Sequence, residues 1–183
     1  MRSVKKSIKS IIVMLAIILV CGGLLAILSD LLYVDDSERI QRAIDKIYTS
    51  EEVSLQDDLK DAVAGYTDNS DIGVVKAAYL LDNGDYLVLV TGKKGYSNGT
   101  VTVYTAVSNI NGVATIKNTV QDSYTGQTLM SKLTSLYEKF TGKDSTQSND
   151  DVTEIVSGAT FSSTAASNAV IVALDFVQTQ IGG

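Results

Sequence analysis

The residues with the most chemical promise stand together in Glu154-Ile155-Val156-Ser157-Gly158-Ala159-Thr160-Phe161-Ser162-Ser163, just before a long apolar-periodic run. Small and hydroxylated side chains at a helix start offer two kinds of chemistry. One is a phosphate seat. The first N–H groups of a helix lack intrahelical partners, the helix dipole is positive there, and Gly158 and Ala159 let a bulky anion approach the backbone. Ser157, Thr160, Ser162 and Ser163 would add hydroxyl donors, and one of them could be a point of covalent attachment. The other is an ordinary cap, in which Ser162 or Ser163 holds a free N–H and Gly158 merely turns the chain. Local physics leaves both readings open and favours the cap, because Ser, Thr and Gly before a helix are common.

The rest of the composition narrows what this stretch could serve. A chain of 183 residues has room for one membrane segment and one domain with its own core. With no His and a single Cys, Cys21, it cannot assemble the His/Cys sets that hold zinc, haem or iron–sulfur clusters. The usual general base for a Ser or Cys nucleophile is missing too, so no catalytic and no metal-ligating residues are expected. A redox role would have to come from a bound organic cofactor. The fifteen Lys+Arg and twenty-one Asp+Glu are unevenly spread: Arg2, Lys5, Lys6 and Lys9 all precede the first acid, Asp30. The remainder carries eleven basic against twenty-one acidic residues, a net −10. So acidic a domain lacks the footprint of a nucleic-acid binder and would be repelled by anionic headgroups.

The elements that must position the stretch follow from periodicity. Ile11 to Ser29 contains no charge, which predicts a transmembrane helix over 11–32, longer than the roughly 7–15-residue core of a cleaved signal peptide. Basic residues before it place 1–10 in the cytoplasm and 33–183 outside, making the protein a single-pass one anchored in membrane lipid. An amphipathic helix follows from Asp35 to about Tyr48 on Ile40, Ile44 and Ile47, then a second short helix between Thr49 and Gly65. Val74–Leu81, Tyr86–Thr91, Val101–Val107 and Val113–Val120 read as four strands, with Asn83-Gly84 and Asn111-Gly112 as hairpin turns. A glycine-punctuated loop from Gly92 to Gly99 carries Tyr96. A helix begun near Thr128 should bury Leu129, Leu133, Leu136, Tyr137 and Phe140, and residues 141–151 should form a solvated loop. The last helix should run from about Ser163 to Gln180 with a broad apolar stripe. The fold class is α+β: a membrane helix, then an antiparallel sheet packed by helices.

Ser157-Gly158-Ala159-Thr160, followed by Phe161-Ser162-Ser163, resembles the flavinylation motif S/T-G-A-T-x-S/T-S of the FMN-binding domain of the RnfG/NqrC family. That domain is shared by Rnf complexes and sodium-pumping NADH:quinone reductases. Gly92–Val107 is similar to the family's glycine–tyrosine loop and next strand, with Ser97-Asn98-Gly99 in place of Gly-Gly. Gln121–Gln127 occupies its E-T-P-G-L-G region without the proline, and Glu154 stands where the family has Asp. The resemblance implies a membrane-anchored electron carrier. Thr160 would bear covalent FMN through a phosphoester, installed from FAD by a separate flavin transferase. Ser157, Gly158, Ala159 and Ser163 would solvate the phosphate, while Tyr96, Thr125 and Gly126 would meet the ring. It also implies the other membrane components of an ion-translocating ferredoxin:NAD oxidoreductase of the Rnf type as partners, with this chain in the RnfG place. The NqrC place in a quinone reductase and a stand-alone extracellular carrier are the near alternatives, and a non-redox binding domain is the alternative of another class.

Overall fold

The computed structural model describes residues 14–24, 36–67, 70–127 and 129–182, and the chain divides into two compact units, 1–39 and 40–183. In the first unit, Met14–Leu24 forms an apolar helix, α1, with its large side chains exposed. At 1.5 Å per residue the described helix spans about 16 Å, roughly half of a hydrocarbon core. The remainder of the 11–32 span and the basic stretch 1–10 lie outside the described residues.

Among the described residues of the second unit, five antiparallel strands form one meander in the order β1-β2-β3-β4-β5. They are β1 (Leu55–Asp58), β2 (Gly73–Leu81), β3 (Tyr86–Gly92), β4 (Thr100–Ile110) and β5 (Val113–Thr125). Side chains alternate across a strand, and here each face meets its own layer. Leu87 of β3, with Tyr104 and Ala106 of β4, packs with Ile40, Ala43, Ile44 and Ile47 of α2 (Asp36–Ile47). Val88 and Val90, with Val101, Val103 and Val107, face the opposite way onto α5 (Thr160–Gln180). α5 is long and apolar enough to cross a membrane, but most of it is buried in this core. Ala166, Ala169 and Ala173 are fully buried beside larger residues, so α5 sits close against the sheet. A Cβ on Gly92 would run into the backbone of Ala165 and Ala169, so glycine is required where helix and strand cross.

Three expectations change. The segment after α2 holds a fifth strand before its helix, α3 (Lys60–Gly65). Leu-Gln-Asp-Asp has little strand propensity and all four residues are exposed; pairing along β2, Leu55 against Leu81, makes the strand. The carboxylate of Asp82 anchors its start by accepting from the N–H and hydroxyl of Ser54. Next, the Leu129–Phe140 helix is instead two 3-10 turns, Met130–Leu133 and Tyr137–Phe140, with Leu129 exposed. Here the Thr134 hydroxyl donates to the Ser131 carbonyl and competes with α-helical pairing. Thr128, expected to start that helix, lies outside the described residues. Finally, 141–151 is not only loop: it adds the bridge Thr115–Asp144 beside β5 and the start of a short helix, α4 (Asn149–Val152), capped by Ser148.

Of the two Asn-Gly turns, Asn111-Gly112 is the two-residue kind, with both φ positive between paired Ile110 and Val113. The other is longer: the Leu81 N–H reaches the Asp85 carbonyl, and only Gly84 takes positive φ.

Candidate functional site

Because β3 runs toward the same end of the sheet from which β4 starts and at which β5 finishes, three loops gather there. They are the β3–β4 connection with Tyr96, the β5 exit at Thr125-Gly126, and the turn that begins α5. Asn168 of α5 ties the first of these to the helix by donating to the Lys93 carbonyl at 2.9 Å.

The turn at the helix start is built by Gly158. The Ala159 N–H bonds the Val156 carbonyl at 2.9 Å, and Gly158 adopts φ 76°, as the third position of a type II turn requires. The helix then starts at Thr160, three residues earlier than periodicity suggests, with Ala159 at the cap position and no side chain capping it. The first intrahelical bond is Ser163 N–H to the Ala159 carbonyl. The N–H groups of Thr160, Phe161 and Ser162 therefore precede any intrahelical pairing, at the positive end of the helix dipole. The Lys132 ammonium stands over the turn, where a Cβ on Gly158 would lie 3.0 Å from it.

Hydroxyl chemistry separates the candidates. Ser162 is buried and donates to Gln127 Oε1 at 2.7 Å. Ser163, fully buried, donates to the Ala159 and Thr160 carbonyls and accepts the Val156 N–H at 3.1 Å. Neither is a cap. Thr164 donates to the Thr160 carbonyl, and Ser167 braces both the N–H and the carbonyl of Glu154. Thr160 and Ser157 are exposed, and their hydroxyls engage no partner among the described residues.

Thr160 opens onto a cleft of about 390 Å³ lined by Tyr96, Leu129, Phe161, Gly158, Ala159 and Ser162. Tyr96 and Phe161 stand 55% and 59% exposed, their rings edge to face at 6.1 Å. Large exposed aromatics side by side beside an anion seat are what a flat, partly apolar ligand with a phosphate tail needs. Of the residues expected at the site, Tyr96, Gly158, Ala159 and Thr160 line this cleft. Ser157 lies in the adjoining turn, and Ser163 lies behind it with its hydroxyl committed to the protein. Thr125 and Gly126 support the cleft from below. The Thr125 hydroxyl bonds the Thr100 hydroxyl, and Gly126, at φ 65°, packs against Gly99.

Four contributors are not apparent from sequence. Phe161 is the variable position of the motif, yet it forms a wall. Leu129 has the spacing of a helix interior. Lys132 and Gln127 carry no signal beyond proximity to Gly126. Glu154, by contrast, carries a structural signal: the Lys143 ammonium holds its carboxylate at 2.7 Å while also donating to the Asp151 and Val152 carbonyls. This clip fixes the approach to Ser157.

No curated protein and no solved structure matches the chain. Residues 92–175, which run from the Gly92 crossing through the Met130–Leu133 and Tyr137–Phe140 turns and most of α5, match the model of the FMN-binding domain family, and FMN is the cofactor that this match supports.

Proposed function

We propose that this chain is a membrane-anchored flavoprotein electron carrier whose FMN is joined through its phosphate to Thr160. The observation that carries the proposal is Thr160 itself. Its hydroxyl is exposed and unengaged among the described residues, at an uncapped helix start, beside an aromatic cleft in the segment similar to FMN-binding domains. The residues present fit the group: the cleft can take a flavin ring, the helix N–H groups and Lys132 suit a phosphodiester, and Gly158 keeps the approach open.

Attachment is a transfer catalysed by a separate enzyme. The Thr160 oxygen forms a bond to the FMN phosphorus of FAD, the pyrophosphate bond breaks, AMP leaves, and the hydroxyl proton goes to solvent. No electrons change hands. Flavin supplies the one- and two-electron chemistry, and the chain supplies position and electrostatics. A covalent tether suits a domain outside the cytoplasm, where lost FMN would not be replaced. The complex we propose is the Rnf type, with this chain as its RnfG component; the motif itself is shared with NADH:quinone reductases and supports the flavin rather than the choice of complex. Copurification of the remaining Rnf components tests that assignment; recovery with components of an NADH:quinone reductase, or alone, would refute it.

Coexpression with a flavin transferase, followed by a denaturing gel, tests the flavin itself. Fluorescence on the chain is expected. A dark band with an unmodified intact mass would leave a non-redox binding domain as the reading.

A further inference from the structure

Gln127 is the polar side chain on which the three loops of the cleft converge. It is 7% exposed, and chemistry fixes which way its carboxamide points. The Tyr96 N–H can only donate, so it faces Oε1, at 3.3 Å. The Thr125 carbonyl can only accept, so it faces Nε2, at 3.2 Å. Ser162 Oγ then donates to Oε1 at 2.7 Å. The seat is tailored to this group: a Cβ at Gly99 would come within 2.5 Å of Nε2, and one at Gly95 would run into it.

Those contacts join segments far apart in sequence. Tyr96 and Phe161, whose rings meet edge to face at 6.1 Å, line the cleft together; Phe161 is next to Ser162, and Thr160 is two residues from it. The carboxamide touches both wall-bearing segments and the β5 exit without lining the cleft. Resting on the function proposed above, we infer that Gln127 is a positioning residue that holds Tyr96 and Phe161 together as one aromatic surface and so immobilises the isoalloxazine ring of FMN held at Thr160. The tether fixes one end of the cofactor; Gln127 fixes the aromatic surface on which the other rests.

Gln127→Glu tests this more sharply than truncation does. Protonated, the introduced carboxyl is an isostere: it donates to the Thr125 carbonyl and accepts from Tyr96 and Ser162. Ionised, it has nothing to donate, and the carbonyl faces a carboxylate. Burial raises the carboxyl above its usual pKa of about 4.3, so the change falls in an accessible range. Among the described residues bonded to or packed on the carboxamide (Gly95, Tyr96, Gly99, Thr125, Ser162), none carries a carboxyl or imidazole, so the wild type should be flat there.

The full chain is coexpressed with the flavin transferase as wild type, Gln127→Glu and Gln127→Leu. Flavin loading is read by intact mass, and ring mobility by flavin fluorescence anisotropy and iodide quenching. Both variants should still gain the flavin mass. Gln127→Glu should match the wild type at acid pH and loosen as pH rises, the open population growing roughly tenfold, as loss of one buried hydrogen bond implies. Gln127→Leu should be loose at every pH. If both loaded variants hold the ring as the wild type does at all pH values, the inference is overturned while the flavin assignment stands. A wild type without flavin overturns both.

Discussion

Replacing Ser163 by alanine separates the two roles open to a hydroxyl beside the motif. The resemblance puts that hydroxyl on the phosphate, whereas the structure puts it inside the protein, accepting the Val156 N–H at 3.1 Å and donating to two helix carbonyls. The donated bonds contribute little, because the Ala159 carbonyl keeps its helical partner, the Ser163 N–H. The accepted bond matters more. Without it, a partly buried N–H is left unpaired, which costs about 1–3 kcal/mol. The position is fully buried, so water does not readily replace the lost oxygen. Ser163→Ala should therefore lose about 1–2 kcal/mol and melt a few degrees lower, at roughly 2–4 °C per kcal/mol for a chain of this size. It should nevertheless take up flavin at Thr160. Urea unfolding followed by far-UV circular dichroism measures the first quantity, and in-gel fluorescence per mole of protein the second. A variant of unchanged stability that fails to load would refute the reasoning and return the hydroxyl to the phosphate.

Further outcomes follow from the same geometry. Gly92→Ala drives a Cβ into helix backbone that cannot rotate away, so it should cost about 3 kcal/mol or more; a urea midpoint equal to the wild type would contradict the crossing. Lys132→Gln should change stability by less than about 0.5 kcal/mol, because the side chain is exposed, yet lower flavin loading in a matched time course with the transferase. Equal loading would remove Lys132 from the phosphate seat. Burial pushes the Tyr137 phenol well up, and burial with the Asp85 hydrogen bond does the same for Tyr48. The folded state thus holds both protons more tightly than the unfolded chain. That stability is complete below about pH 10 and is lost as pH rises further. Tyr137→Phe should flatten part of the fall in urea midpoint above pH 10, and an unchanged slope would count against it.

Much of this molecule is legible because its signals are local. Ile40, Ile44 and Ile47 mark α2 at helical spacing, and all three are buried. Alternation marks β2 to β5, and Asn111-Gly112 carries the positive φ values it advertises. What stays hidden depends on partners remote in sequence. β1 is a strand only because the edge of β2 is available to Leu55–Asp58. The Leu133–Phe140 pattern places the right residues in the core but does not reveal that the segment closes as two 3-10 turns, with the Thr134 hydroxyl on the Ser131 carbonyl between them. At the site, residue types announce Thr160 and its neighbours but not the division of labour among them. Ser162 and Ser163 look like caps in a string of letters. Only the fold shows one hydroxyl committed to Gln127 and the other to the Val156 N–H. Gln127 has no local signature, since its function lies in joining Tyr96, Thr125 and Ser162.

The central claim is that one hydroxyl, on Thr160, carries the flavin. Wild type, Thr160→Ala and Ser157→Ala are coexpressed with a flavin transferase, run side by side on a denaturing gel under ultraviolet light, and weighed intact. A fluorescent band and the added mass of one FMN phosphoester are expected for the wild type and Ser157→Ala, and a dark band of unmodified mass for Thr160→Ala. Fluorescence that survives Thr160→Ala, or disappears with Ser157→Ala while the protein stays folded, would contradict the claim.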